Sequence, residues 1–154
     1  MLLAYRLPRE PSTPRSALWR KLRRIGAVQV GDGLAGLPHD PRNREQLEWL
    51  AEEVVQAGGD ASTWIAELTS AGQERELRER MTEAIAAEYR ALIAESLAAR
   101  DLSTGARQRL LGRLRRELRR IRARDYVPTP ERDEATRIVG ELGELGALVE
   151  EPAR

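Results

Sequence analysis

"AVQVGDGLAGLP", residues 27–38, decides the fold. Two short apolar runs are joined around Gly31-Asp32-Gly33, the composition of a hairpin turn. Upstream, "LLAYRL" (Leu2–Leu7) reads as a buried strand that Pro8 and Pro11 end. Thr13 then reads as an N-cap with Pro14 at the first helical position. Leu18, Leu22 and Ile25 recur at i, i+4 and i+7, so the helix has one apolar face, and Gly26 stops it. Downstream, Pro41 opens a second helix through Ala57, with Leu47, Leu50 and Val54 on its core side and Trp49 beside them. Gly58-Gly59 ends that helix, and "ASTWIAEL" (Ala61–Leu68) reads as a fourth strand.

The order over residues 2–68 is therefore βαββαβ, the ferredoxin-like arrangement of an antiparallel sheet with two helices on one face. The remainder has no strand signal. Ser70 and Gln73 form a capping box, and Leu77, Met81, Ile85, Tyr89 and Leu92 keep helical spacing to about Leu97. "LSTG" (102–105) interrupts it; Ala106–Arg124 is the next helix, with Leu110, Leu111, Leu114, Leu118 and Ile121 as its stripe. Pro128 and Pro130 interrupt again, with Thr129 as N-cap of a terminal helix marked by Ala135, Ile138, Val139, Leu142, Leu145 and Val149. Glu151–Arg154 reads as a free tail. The expected fold class is α+β: a ferredoxin-like domain over residues 1–69 and an α-helical extension of about three helices, residues 70–154, packed on it.

A chain of 154 residues buries roughly 70% of its unfolded surface, enough for a core without cross-links. It has no cysteine and one histidine, His39, which excludes disulfides and thiolate chemistry and argues against a metal centre or catalytic dyad. No phosphate-binding loop, dinucleotide fingerprint or catalytic triad is present, so neither an enzyme nor a cofactor is expected. His39-Asp40 reads as loop capping. No signal peptide and no apolar run of membrane-spanning length is visible, which suggests a cytoplasmic protein with no membrane partner.

The net charge of +1 conceals two basic islands. Residues 1–30 carry seven basic and one acidic side chain; residues 105–126 carry nine and two. Clustering matters more here than arginine content, since all but one of the 26 basic residues are arginine. In the first island Arg20, Arg23 and Arg24 lie opposite the apolar face, with Arg15 and Lys21 on its flanks; Trp19 borders that face and is assigned to the core. Arg6, Arg9 and Arg15 surround a helix N-terminus, where an oxyanion suits the free N–H groups and the dipole. The plain alternative is a solvated basic face. In the second island Arg113, Arg115, Arg116, Arg119, Arg120, Arg122 and Arg124 surround one apolar stripe, relieved only by Glu117. Arginines at this density repel one another by a few tenths of a kcal/mol per i,i+4 pair, so a partner is expected. In order of preference it is nucleic-acid phosphate, then the acidic helix bearing Glu74, Glu76, Glu79, Glu83, Glu88 and Glu95, and well below both a membrane surface, for which the wholly aliphatic stripe offers no Trp or Phe anchor.

"YRLPREPSTPRSALWRKLRRIGAVQVGDGLAGLPHDPRNREQLEWLAEEVVQAGGDASTWIAEL", with "RDYVPTPERDEA" further on, closely resembles the N-terminal region of the ChrB chromate resistance family. The region looks more distantly like the ferredoxin-like domain of PaaX-type repressors and the small ferredoxin-like CRISPR-associated nucleases. Those nucleases place an acidic residue at the end of the first strand, where this chain has Tyr5 and Arg6, so metal-dependent cleavage is not expected. The resemblance implies a bacterial, chromate-responsive regulator of a chromate-efflux operon, with operon promoter DNA and the chromate oxyanion as partners. Arg6, Arg9 and Arg15 are then the oxyanion-binding candidates. Arg20, Lys21, Arg23, Arg24 and the arginines from Arg113 to Arg124 are the DNA-binding ones. The alternative is an interaction or homodimerisation module that binds no DNA. ChrB proteins usually continue into a second domain of comparable size, whereas this chain stops after the first, which makes it either a stand-alone version or a fragment; if regulation needs the second half, this chain does part of the work.

Overall fold

The computed structural model describes residues 1–147. Val149 and Glu151–Arg154, read above as stripe and tail, lie outside the described residues. The chain forms two compact units, the first Met1–Met81 and the second beginning at Thr82.

The first unit contains β1 (Leu2–Arg6), α1 (Thr13–Arg24), β2 (Val28–Gly31), β3 (Leu34–Gly36), α2 (Pro41–Gln56) and β4 (Asp60–Trp64), then the start of α3 (Ala71–Ala98). The sheet order is β2-β3-β1-β4, all neighbours antiparallel, as a ferredoxin-like βαββαβ chain requires. Leu3 pairs with Ala35 on one side and Thr63 on the other. Strand side chains alternate between faces, and Leu3 and Ala35 are buried. α2 packs on β1 and β4 and buries Leu47, Leu50 and Val54; α1 buries Leu18 and Leu22. Its flank is tied to α2 by the Lys21–Glu53 ion pair.

The punctuation in the sequence has a geometric basis. Gly26, Gly33 and Gly58 all have positive φ. Gly33 also brings its carbonyl to Tyr5 N–H at 2.7 Å, closing the hairpin against β1. Asp40 caps α2: its carboxylate accepts from Asn43 N–H at 2.8 Å and Asn43 Nδ2 at 2.6 Å. Of the His39-Asp40 pair, Asp40 is thus the capping residue. Ser70 accepts from Gln73 N–H at 3.4 Å, one half of the capping box.

Three expectations need correction. The N-cap of α1 is Ser12, not Thr13, and no side-chain bond caps it. The fourth strand ends at Trp64; Ile65 and Leu68 are exposed, because β4 ends its pairing with β1 at the Leu2–Trp64 match. Trp19 and Trp49 are exposed by 47% and 66%, so neither belongs to the core. Leucine and valine at the neighbouring positions already fill it.

The second unit contains the rest of α3, a 3-10 turn at Ala99–Asp101, α4 (Thr104–Arg122) and α5 (Pro130–Ala147). Its core joins Ile85, Tyr89, Leu92 and Ile93 of α3 with Leu114, Leu118 and Ile121 of α4 and Ala135, Ile138, Val139 and Leu142 of α5. Gly143 lets α4 come close: a Cβ there would sit 2.7 Å from Arg115 Nη2 and 3.5 Å from Leu111 Cδ2. Arg107 ties segments together, donating to the carbonyls of Arg100, Leu102 and Leu145.

Candidate functional site

α4 follows from its sequence. Leu114, Leu118 and Ile121 repeat at helical spacing and are buried, which turns the arginines between them outward. They divide into two sets. Arg113 pairs with Glu95, and Arg124 holds Glu88 through both guanidinium nitrogens, Nη1 to Oε1 at 2.6 Å. Both acids lie on α3, so the acidic helix is the partner of these two. Among the described residues Arg120 reaches only Glu117, three residues back, at 3.4 Å. Arg115, Arg116, Arg119 and Arg122 are exposed and, among the described residues, pair with no carboxylate. Arg109, which belongs to the same outward face, is exposed too. At about 1.5 Å per residue, Arg109 and Arg122 are about 20 Å apart along the axis. The result is a rigid cationic bar, held at its flank by two ion pairs.

Where α4 ends, a polar cluster is buried. Tyr89 donates to Asp125 Oδ2 at 2.9 Å, and Arg132 Nη1 stands 3.8 Å from the same oxygen. The Asp125 side chain is 1% exposed, and its Oδ1 has no hydrogen-bond partner among the described residues. Burial, with the hydrogen bond to Asp125, pushes the Tyr89 hydroxyl well above the usual phenol range. This cluster fixes the turn between α4 and α5.

In the first unit, Arg20, Arg23 and Arg24 are exposed on α1 and, among the described residues, pair with no carboxylate. Lys21 is engaged by Glu53 and so faces α2. The Arg23 guanidinium lies over the Trp19 ring, 4.7 Å from its centroid. Trp19 therefore joins the basic face and not the core to which its position bordering the apolar stripe assigned it; arginine four residues on was the legible signal.

Arg6, Arg9 and Arg15 are all exposed. Arg15 Nη2 donates to the Leu7 carbonyl at 3.3 Å and the Pro8 carbonyl at 3.1 Å, which places its guanidinium against the backbone between Arg6 and Arg9. Arg6 lies opposite Asp60 in the sheet register. The cavity nearby, about 320 Å³, is walled by Leu7, Pro14, Ala17, Leu18, Val54 and Ala57, with Glu53 and Gln56 as its polar members. A cavity with a carboxylate and no arginine in its wall does not suit a dianion. The described residues contain no cluster of His, Asp or Glu able to hold a metal ion. No helix among them is long and apolar enough to cross a membrane.

Known proteins align with this chain in sequence. A protein named Protein ChrB from Cupriavidus metallidurans (strain ATCC 43123 / DSM 2839 / NBRC 102507 / CH34) is 33% identical over 96 residues. The match covers 62% of this chain but only 26% of that relative, so the chain spans about a quarter of its length. No solved structure matches. The family described as Protein ChrB, N-terminal, matches residues 15–101, which take in α1 with its Trp19–Arg23 pair, the hairpin, α2, β4 and α3. On that match, over more than half of its length, the chain belongs to the ChrB N-terminal family.

Proposed function

We propose that the chain acts in chromate-responsive transcriptional regulation of a chromate-resistance operon, as a DNA-binding part of the regulator rather than a catalyst. ChrB membership links it to chromate resistance. The observation that carries the DNA reading is the set Arg115, Arg116, Arg119 and Arg122, exposed on one helix without carboxylate partners among the described residues. Guanidinium groups in that state are suited to phosphate oxygens, and each contact releases counterions. Arg20, Arg23 and Arg24 of α1 offer a second phosphate-binding face.

Chromate is a tetrahedral dianion, and guanidinium forks are its natural partners. In this reading Arg6, Arg9 and Arg15 receive it at the end of β1. Arg15 spends only Nη2 on the backbone carbonyls, leaving its other nitrogens for an anion. Chromate releases DNA to the extent that it binds the free form better than the bound one.

The test is a salt titration of binding to chromate-efflux promoter DNA and to a scrambled duplex, with and without chromate. Salt-steep binding that prefers the promoter and weakens with chromate supports the reading. Absence of binding at low salt overturns it.

A second reading has its own observation. Arg113–Glu95 and Arg124–Glu88 show that this arginine helix does pair with acidic surfaces. An interaction module would use the remaining arginines in the same way, between copies. Size-exclusion mass that falls with salt, in a protein with no affinity for nucleic acid, would favour it.

A further inference from the structure

We propose that the outer face of α1 is a stacking platform for an unpaired base of single-stranded nucleic acid, with Trp19 as the platform and Arg20, Arg23 and Arg24 as its phosphate contacts. This rests on the nucleic-acid reading above and takes it to a strand form and to one residue.

Trp19 is 47% exposed, on a helix whose buried stripe is complete with Leu18 and Leu22. Leaving an indole in water forgoes apolar burial that a ring of this size would otherwise gain. Arg23 covers one side of the ring at 4.7 Å. That contact costs the arginine no ion pair, since no carboxylate among the described residues competes for it. It also restricts the indole, so less side-chain freedom is lost when a ligand arrives.

The chemistry of the surroundings selects the ligand. Trp19, Arg20, Arg23 and Arg24 follow one another at i, i+1, i+4 and i+5 and are all exposed, so one aromatic face stands among three cations. A nucleotide strand offers both halves of the complement, a π-face and a phosphate, at each unit. Bases in a duplex are stacked within it and reach an indole only after unstacking. An acidic peptide matches the cations but makes no use of the ring.

The experiment uses the full chain carrying Trp49→Phe and Trp64→Phe, both at exposed positions, so that Trp19 is the sole indole. Three probes of equal phosphate number are titrated: a thymidine oligonucleotide, its abasic counterpart and a duplex. The thymidine strand is expected to quench Trp19 fluorescence and to bind about tenfold more tightly than the abasic strand. Trp19→Ala should remove that tenfold and leave abasic affinity unchanged; Trp19→Phe should restore part of it. Equal affinity for base-bearing and abasic strands, or binding without quenching, overturns the stacking inference and leaves the phosphate reading standing. Duplex binding that is tighter than strand binding and indifferent to Trp19→Ala does the same. Failure of all three probes to bind at low salt overturns both.

Discussion

Gly33 shows how much one residue can decide. It has φ +68, and a Cβ there would stand 2.3 Å from the Tyr5 carbonyl oxygen. Gly33→Ala should therefore destabilise the sheet by about 2–3 kcal/mol, from backbone strain and overpacking together, read as a lower urea midpoint. The glycine was legible in the hairpin motif; the β1 carbonyl pressed against it was not, because that contact joins residues far apart in sequence. Tyr89 is a second case. The free phenol ionises near pH 10, and in the fold burial and the bond to Asp125 hold its proton more tightly, opposed by Arg132 and Arg122. Folding thus disfavours the phenolate, so this contribution is complete below about pH 10 and is lost as pH rises above it. Tyr89→Phe should cost about 1–2 kcal/mol at neutral pH, since the buried Asp125 loses a donor. It should also reduce the loss of stability between pH 9 and 11. Tyr5, whose ionisation burial also delays, supplies the slope that persists. Denaturant midpoints across that range check both effects. Periodicity placed Tyr89 on a core stripe, and it is buried there. Its hydroxyl partner, 36 residues away, could not be read from spacing.

At the scale of the element, α4 separates arginines that hold the fold from arginines that face water. Arg116→Gln with Arg119→Gln should leave the melting temperature unchanged. It should also lower the salt slope of DNA binding by about two, because each phosphate contact contributes nearly one unit. Arg124→Ala should behave in the opposite way. It removes a bidentate, largely buried partner of Glu88, so the expected loss is about 1–2 kcal/mol of stability with a smaller change in slope. Thermal melts and salt titrations of the two variants side by side distinguish the roles. Helical spacing was enough to show which arginines avoid the core. It left open which of them meet Glu88 and Glu95, because that depends on how α3 and α4 are aligned along their lengths. The same reasoning covers Trp19 and Trp49. Each stands beside the apolar stripe of its helix, and a border position is buried or exposed according to what the neighbouring element brings there. In both helices the adjacent leucines reach the core first.

At the scale of the molecule, two units carry two separate sets of buried residues. Leu47→Ala opens a cavity in the first and Leu114→Ala in the second, each at a fully or almost fully buried site. Each should cost its own unit about 2–5 kcal/mol. Hydrogen exchange should then show the loss of protection concentrated in residues 1–70 for Leu47→Ala and in residues 82–147 for Leu114→Ala, and uniform loss across the chain in both variants would contradict it. The sequence by itself determined the order of elements, the strand-turn-strand at Gly31-Asp32-Gly33, the caps at Asp40 and Ser70 and the apolar faces. All of these are set by the conformational limits of glycine and proline and by periods of a few residues, which are local. Only the tertiary structure decided which arginines are spent inside the fold and which face solvent, that Trp19 is part of the basic face, and that Arg6, Arg9 and Arg15 lie in the open. Those outcomes depend on which distant side chains meet, through register in the sheet and alignment between helices, and no local pattern of residues encodes that meeting.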